Sequence, residues 1–218
     1  MESVARGGTR WKRFAIVMVP SVAATAAIGV GLAQGALAAS FAVSGQEFKV
    51  RAGYLEGKGF SQYGGVVNAY AEPEGDETIG RPVMVSTFKS ATIEDMCQSV
   101  VTKVPLLGTF TLQLKAGYGD KSVTAKNLYL DITELKGDAT FTEIDIGIAA
   151  KHTDDGNGVG KGPAVKNEIQ PNGFAQQADE AVLTEVEQRA WATTAGTFTL
   201  GGLDMKIKKG SGPGVECF

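Results

Sequence analysis

The sequence predicts a mainly β protein: an N-terminal transmembrane helix followed by an antiparallel β-sheet domain of the sandwich, barrel or curved-sheet class. Three observations carry that expectation. Residues 14–39 contain no charged side chain and follow a basic stretch. From Phe41 onward the pattern changes to alternating apolar and polar residues. The 29 glycines of the 218-residue chain are scattered without a collagen-like period, which marks many tight turns.

The first element is the apolar run. As a helix it would be about 39 Å long, enough to cross a bilayer core with some tilt. Arg6, Arg10, Lys12 and Arg13 precede it, so a cytoplasmic N-terminus is expected. The resulting division is a basic cytoplasmic segment over 1–13, a transmembrane anchor or signal sequence over 14–39, and an extracytoplasmic β-rich domain over 40–218. Read as a secretory signal, the run would be cleaved after the small residues of Ala36-Leu37-Ala38. Its length exceeds the roughly 7 to 15 residues of a signal's apolar core, which favours an uncleaved anchor. Pro20, Gly29, Gly31 and Gly35 are compatible with a spanning helix, whose backbone bonds are satisfied internally. Both readings export the rest of the chain.

Charge narrows the partners. The whole chain carries 21 basic and 24 acidic residues, a net −3. The first 13 residues hold four basic and one acidic, which leaves 17 against 23, or −6, for the remainder. Nucleic-acid binding needs clustered Lys and Arg on phosphates, so it is not expected. Cys97 and Cys217 are the only cysteines. In an exported chain an even pair is most simply a disulfide, which would pin the C-terminus; two free thiols are the alternative.

Within the domain, Phe48, Val50, Ala52 and Tyr54 alternate with polar neighbours and predict a half-buried strand. Gly57, Gly59, Gly64 and Gly65 are expected to bracket a second strand around 66–71, followed by an acidic hairpin tip over Glu72 to Glu77. Val83 to Phe88 reads as a strand, whereas Ile93 to Val104 fits neither period. Phe110, Leu112, Leu114 and Ala116 make the cleanest alternation, and Leu128, Leu130 and Ile132 make another. Phe141 lies out of phase with Ile144, Ile146 and Ile148, which predicts a bulge near Thr142 or Glu143. Residues 151–173 are rich in glycine and polar side chains, long for a plain connection, and so mobile or functional. Residues 179–191 fit a helix through Val182, Leu183, Val186 and Ala190, or a strand through Val182, Thr184 and Val186. Leu203, Met205 and Ile207 should pair with Phe198 to Leu200 across Gly201-Gly202. Gly108-Thr-Phe-Thr-Leu112 recurs as Gly196-Thr-Phe-Thr-Leu200, a short echo compatible with duplication.

Catalytic chemistry has few candidates. His152 is the single histidine, and beside flexible glycines it reads as a solvated loop residue. Gly59-Phe60-Ser61-Gln62-Tyr63 misses the nucleophile-elbow pattern at its last position. Asp154, Asp155 and Asn157 offer oxygen ligands, but without the spacing of an EF-hand loop. No catalytic residue, no metal ligand and no cofactor is expected. The apolar strand faces can pack on one another or curve around an acyl chain.

The segments around Ala38 to Gln46, Gly59-Phe-Ser-Gln-Tyr-Gly64, Cys97-Gln-Ser-Val100, Trp191 to Phe198 and the terminal Glu-Cys-Phe218 resemble an uncharacterised actinobacterial family of single-span or secreted envelope proteins. Some of its members carry the label cholesterol esterase. The resemblance spans nearly the whole chain. It implies that both cysteines belong to a shared pattern, which supports their disulfide. It also implies a strand over 179–191 and a small multi-span membrane protein as partner. No motif residue carries the esterase label over to this chain. The expectation is thus a membrane-anchored, non-enzymatic structural or interaction component of the cell envelope. Self-association, a lipid or a membrane protein would be its partners. A lipid-handling β-domain is the alternative, and an ester hydrolase the weaker one.

Overall fold

Apolar–polar alternation with β-branched and aromatic residues builds long strands rather than many short ones. The computed structural model describes residues 44–72, 76–154, 160–165 and 169–218. The expected span and its basic flank lie outside these residues. Among the described residues no helix is long and apolar enough to cross a membrane.

Eight antiparallel strands form one sheet: β1 (Phe48–Tyr70), β2 (Thr78–Glu94), β3 (Met96–Val104), β4 (Gly108–Ala116), β5 (Val123–Thr142), β6 (Asp145–Ala149), β7 (Phe174–Leu200) and β8 (Asp204–Lys209). Their order is β6-β7-β5-β2-β1-β3-β4-β8, and β7 also pairs with β1. The pairings β1–β2, β2–β5, β5–β7 and β7–β1 therefore close on themselves. Strands β3, β4 and β8 continue beyond this ring as an open three-stranded sheet.

Several strands are segments of one path. Against β1, both β2 and β3 keep the same register, with Tyr54 opposite Glu94 and Arg51 opposite Cys97. The path bends at Asp95, whose φ is +51°. Strand β5 runs on into β6 past Glu143, also at φ +51°, where the phase slip predicts a bulge.

Two creases cross the ring. In the first, Gly53 stands between Asp95 on one side and Glu185 (φ +50°) on the other. Gly137, in the bulge of β5, abuts the Thr184 and Glu185 carbonyls. In the second, Gly59 (φ +63°) lies against Lys89, and Asn127 (φ +48°) lies against Gly196. Each crease shifts the alternation by one residue. Inward residues are consequently three apart across it: Ala52 and Leu55, Ile93 and Met96, Leu183 and Val186 at the first. Phe88 and Ala91, Ala125 and Leu128, Ala178 and Ala181 mark the second.

A ring of four strands is much narrower than the eight-stranded barrels whose interiors just hold side chains. Small residues make room there for larger ones: Ala52, Ala91, Ala125, Ala178, Ala181 and Ala190 are buried among Phe60, Phe88 and Leu128. Gly57 is the tightest point: a Cβ there would meet Phe88 Cδ1 at 2.1 Å. A second buried cluster, with Tyr63, Val83, Val85, Ala150 and Ala175, packs with Val165 and Ile169 of the stretch between β6 and β7.

Several expectations are corrected. Residues 48–70 form one unbroken strand: Gly57 and Gly65 serve close packing and Gly59 a crease, and Gly64 lies within the strand with open space beside it. Tyr54 is not on the face of Ala52, since the Gly53 crease intervenes, and its hydroxyl donates to Glu56 at 3.0 Å. Of the two readings of residues 179–191 only the helix falls: they lie wholly within β7, the strand that the resemblance implies. The last two strands do not pair with each other: the end of β7 pairs with β5, and β8 pairs with β4. The two Gly-Thr-Phe-Thr-Leu copies occupy unlike places, one opening β4 and the other closing β7.

Candidate functional site

Inside the ring lies a cavity of about 250 Å³. Its wall is mostly apolar, with Leu55, Phe60, Leu130, Ile132, Phe141 and Leu183 among the lining residues. Polar groups meet the same cavity. Gln62 Nε2 donates to Ser86 Oγ at 2.8 Å, and Gln176 Nε2 donates to Gln62 Oε1 at 2.6 Å. The register explains the meeting, since Gln62 stands opposite Ser86 on one side and Gln176 on the other. The arrangement is an apolar chamber with an amide and hydroxyl chain set into its wall. It can hold a small apolar or amphiphilic group, but it presents no charged side chain among the lining residues.

The second constellation is the C-terminal tail. Cys97 and Cys217 are joined at a Cα separation of 5.8 Å, within the ordinary disulfide range. Around the bond, the tail lies on one face of β3 and β4. Cys217 N–H donates to Ser99 Oγ at 3.1 Å, Gln113 Nε2 to the Val215 carbonyl at 3.2 Å, and Thr111 Oγ1 to the Gly210 carbonyl at 2.7 Å. Lys49 adds an ion pair to Glu216 at 2.8 Å and stands 5.1 Å from the Phe218 ring centre. The Lys49 ammonium, helped by the Gly212 N–H, holds the Glu216 carboxyl below the usual glutamate range.

His152 ends a single 3₁₀ turn, Ala150–His152, and its side chain is exposed. It borders an open groove with Asp145, Ile148, Ala149 and Gln177. Asp145 is engaged there by Gln177 Nε2 at 3.1 Å and by Lys161 at 3.6 Å. Ser61, the serine of the near-miss elbow pattern, sits mid-strand and fully buried. Its hydroxyl shares a 2.6 Å hydrogen bond with Thr87, beneath Gly162. Asp154 bridges to Gly162, whereas Asp155 and Asn157 lie outside the described residues. The 160–165 stretch is fastened down: Lys161 N–H donates to Gln177 at 2.9 Å, and the Ala164 carbonyl accepts from Tyr129 at 2.8 Å.

Sequence reasoning singled out the two cysteines and missed the groups around them. Lys49 reads locally as an outward strand lysine, and nothing in its surroundings signals a tail 169 residues away. The Gln62–Ser86–Gln176 chain was equally hidden, because its members lie on three strands.

Fold and site together define a class: a closed antiparallel β-scaffold with a small apolar chamber and a covalently pinned tail. Within that class the chain belongs to a family of unknown function, DUF6230, whose family model matches residues 44–218. No curated protein and no solved structure matches the chain.

Proposed function

We propose that the protein is a membrane-anchored, extracytoplasmic structural or interaction component of the cell envelope that works without catalysis. The observation that carries this reading is the Cys97–Cys217 disulfide. Such bonds persist in oxidising compartments and are rare in the cytosol. The charge-free run over 14–39 behind a basic flank supplies the route and the anchor. A closed scaffold whose tail is latched by the disulfide suits a component that presents its surface to a partner. A small multi-span membrane protein or a second copy fits that role.

Fractionation of the producing cells tests the proposal. The chain should sit with the membrane, its domain should be cut by protease added from outside, and maleimide should label neither cysteine until reductant is added. Recovery as a soluble cytosolic protein with both thiols reactive overturns it.

One observation favours a second reading, lipid handling: the apolar chamber with its amide chain. Its volume of about 250 Å³ lies below the roughly 300 to 1,000 Å³ of ordinary ligand pockets, which favours a packed scaffold over an acyl-chain carrier. Native mass spectrometry of the purified full chain separates them, since a carrier retains an acyl chain and a scaffold does not. Ester turnover that survives His152→Ala removes the histidine-based hydrolase.

A further inference from the structure

The open sheet β3–β4–β8 has two unlike faces. The tail covers one, over Thr111, Gln113 and Ser99. On the other, register aligns Val100 with Leu112 and Ile207, and Leu114 with Met205. Leu112, Met205 and Ile207 are 38%, 53% and 74% exposed there. At the β3–β4 turn, Leu106 (φ +67°) and Leu107 project into solvent, fully and two-thirds exposed. Leu114 packs against the main core, but among the described residues nothing buries the leucine pair at the tip or the Leu112, Met205 and Ile207 side chains beside it.

Two further facts point to its occupant. The chain enters the domain at this end, since the Gln46 side chain accepts from Thr102, on the strand that leads to the leucine tip. The apolar run 14–39 ends only a few residues earlier. Of the lysines on these strands, register places Lys209 on the apolar face and Lys103, Lys115, Lys206 and Lys208 on the face that the tail covers. Lysines on the edge strand β8 discourage strand addition by a second copy.

We propose that the β3–β4–β8 apolar face and the Leu106–Leu107 tip seat in the interface of the bilayer that holds the chain's anchor. This rests on the anchoring reading above. The domain would then lie against its membrane in one orientation rather than swing on a tether.

The test uses the full chain reconstituted into vesicles of phosphatidylcholine and phosphatidylglycerol, with and without brominated acyl chains. Leu107→Trp is compared with Ile146→Trp, an exposed position on β6 opposite Gln176 of β7, and the parent's quenching is subtracted. The expected result is bromolipid quenching of Leu107→Trp several-fold stronger than that of Ile146→Trp, with or without phosphatidylglycerol. Flotation that succeeds with equal quenching at both positions overturns the orientation and leaves the anchor standing. Shielding of Leu107→Trp from aqueous acrylamide without bromolipid quenching assigns the face to a protein or a second copy and also overturns it. A chain that fails to float with the vesicles overturns the anchor and this proposal together.

Discussion

Lys49, at the start of β1, closes on Glu216 of the tail with a 2.8 Å ion pair, and the same ammonium donates to the Phe218 carbonyl across 169 positions of sequence. The two side chains are 19% and 10% exposed. An ion pair so shielded from solvent is poorly replaced by water when one partner is removed. Together with the disulfide it makes the C-terminus part of the fold rather than a loose end.

Acid should loosen this latch first. The folded pKa of Glu216 lies below its ordinary value of 4.5. Its stabilisation is therefore fully present above that value and is lost as pH falls through the folded one. The protection of the Cys217 amide, which donates to Ser99, measured as its exchange rate relative to the intrinsic rate at each pH, should fall in the wild type as pH drops from above 4.5 to below the lowered value. Glu216→Gln should show weak protection already at neutral pH and little further change. A wild-type tail equally protected at both ends of that range contradicts the latch.

Reduction should cost far more than loss of the ion pair. The disulfide closes a loop across a sequence separation of 120, worth roughly 5 kcal/mol on the chain-entropy model. For a domain of this size that is a Tm drop on the order of 10 to 20 °C. Calorimetry of Cys97→Ser/Cys217→Ser against the oxidised parent reads the difference directly. A shift of only 1 to 2 °C would mean that non-covalent contacts already hold the tail.

The narrow ring makes a sharp demand at one glycine. A Cβ at Gly57 would stand 2.1 Å from Phe88 Cδ1, so Gly57→Ala should destabilise by about 1 to 3 kcal/mol through overpacking. Phe88→Leu in the same chain should recover part of that loss, measured as the midpoint of urea unfolding. Two penalties that simply add would show that the residues do not share the constriction.

Removing one link of the chamber's amide chain leaves its neighbours wanting. Gln62→Leu strips Ser86 of its 2.8 Å donor and Gln176 of its 2.6 Å acceptor, a cost of about 1 to 3 kcal/mol. The triple replacement Gln62→Leu/Ser86→Ala/Gln176→Leu should lose less than Gln62→Leu alone, since no orphaned polar group remains. Equilibrium unfolding of both variants decides the matter.

The mainly antiparallel β class was legible in period-two runs such as Phe110 to Ala116, which fold as read. Residues 179–191 were not, and the reason is physical. Glu185 sits at a crease, so Leu183 and Val186 both face inward three residues apart, a spacing that imitates a helical stripe. The unreadable stretch from Ile93 to Val104 has the same cause at Asp95. Glycines misled in the opposite direction: Gly57 and Gly59 look like turn signals, yet one makes room for Phe88 and the other turns a crease.

Local alternation thus carried the strands, the charge-free run before them and the pairing partners available to two lone cysteines. Closure of β7 onto β1, the Gln62–Ser86–Gln176 chain and the Lys49–Glu216 latch arose only in three dimensions. Residue spacing along a strand reports which face a side chain takes, because the pleat repeats every two residues. It carries no record of which distant strand arrives alongside. Hydrogen bonding between remote segments settles that, once burial and the creases have set the curvature of the sheet.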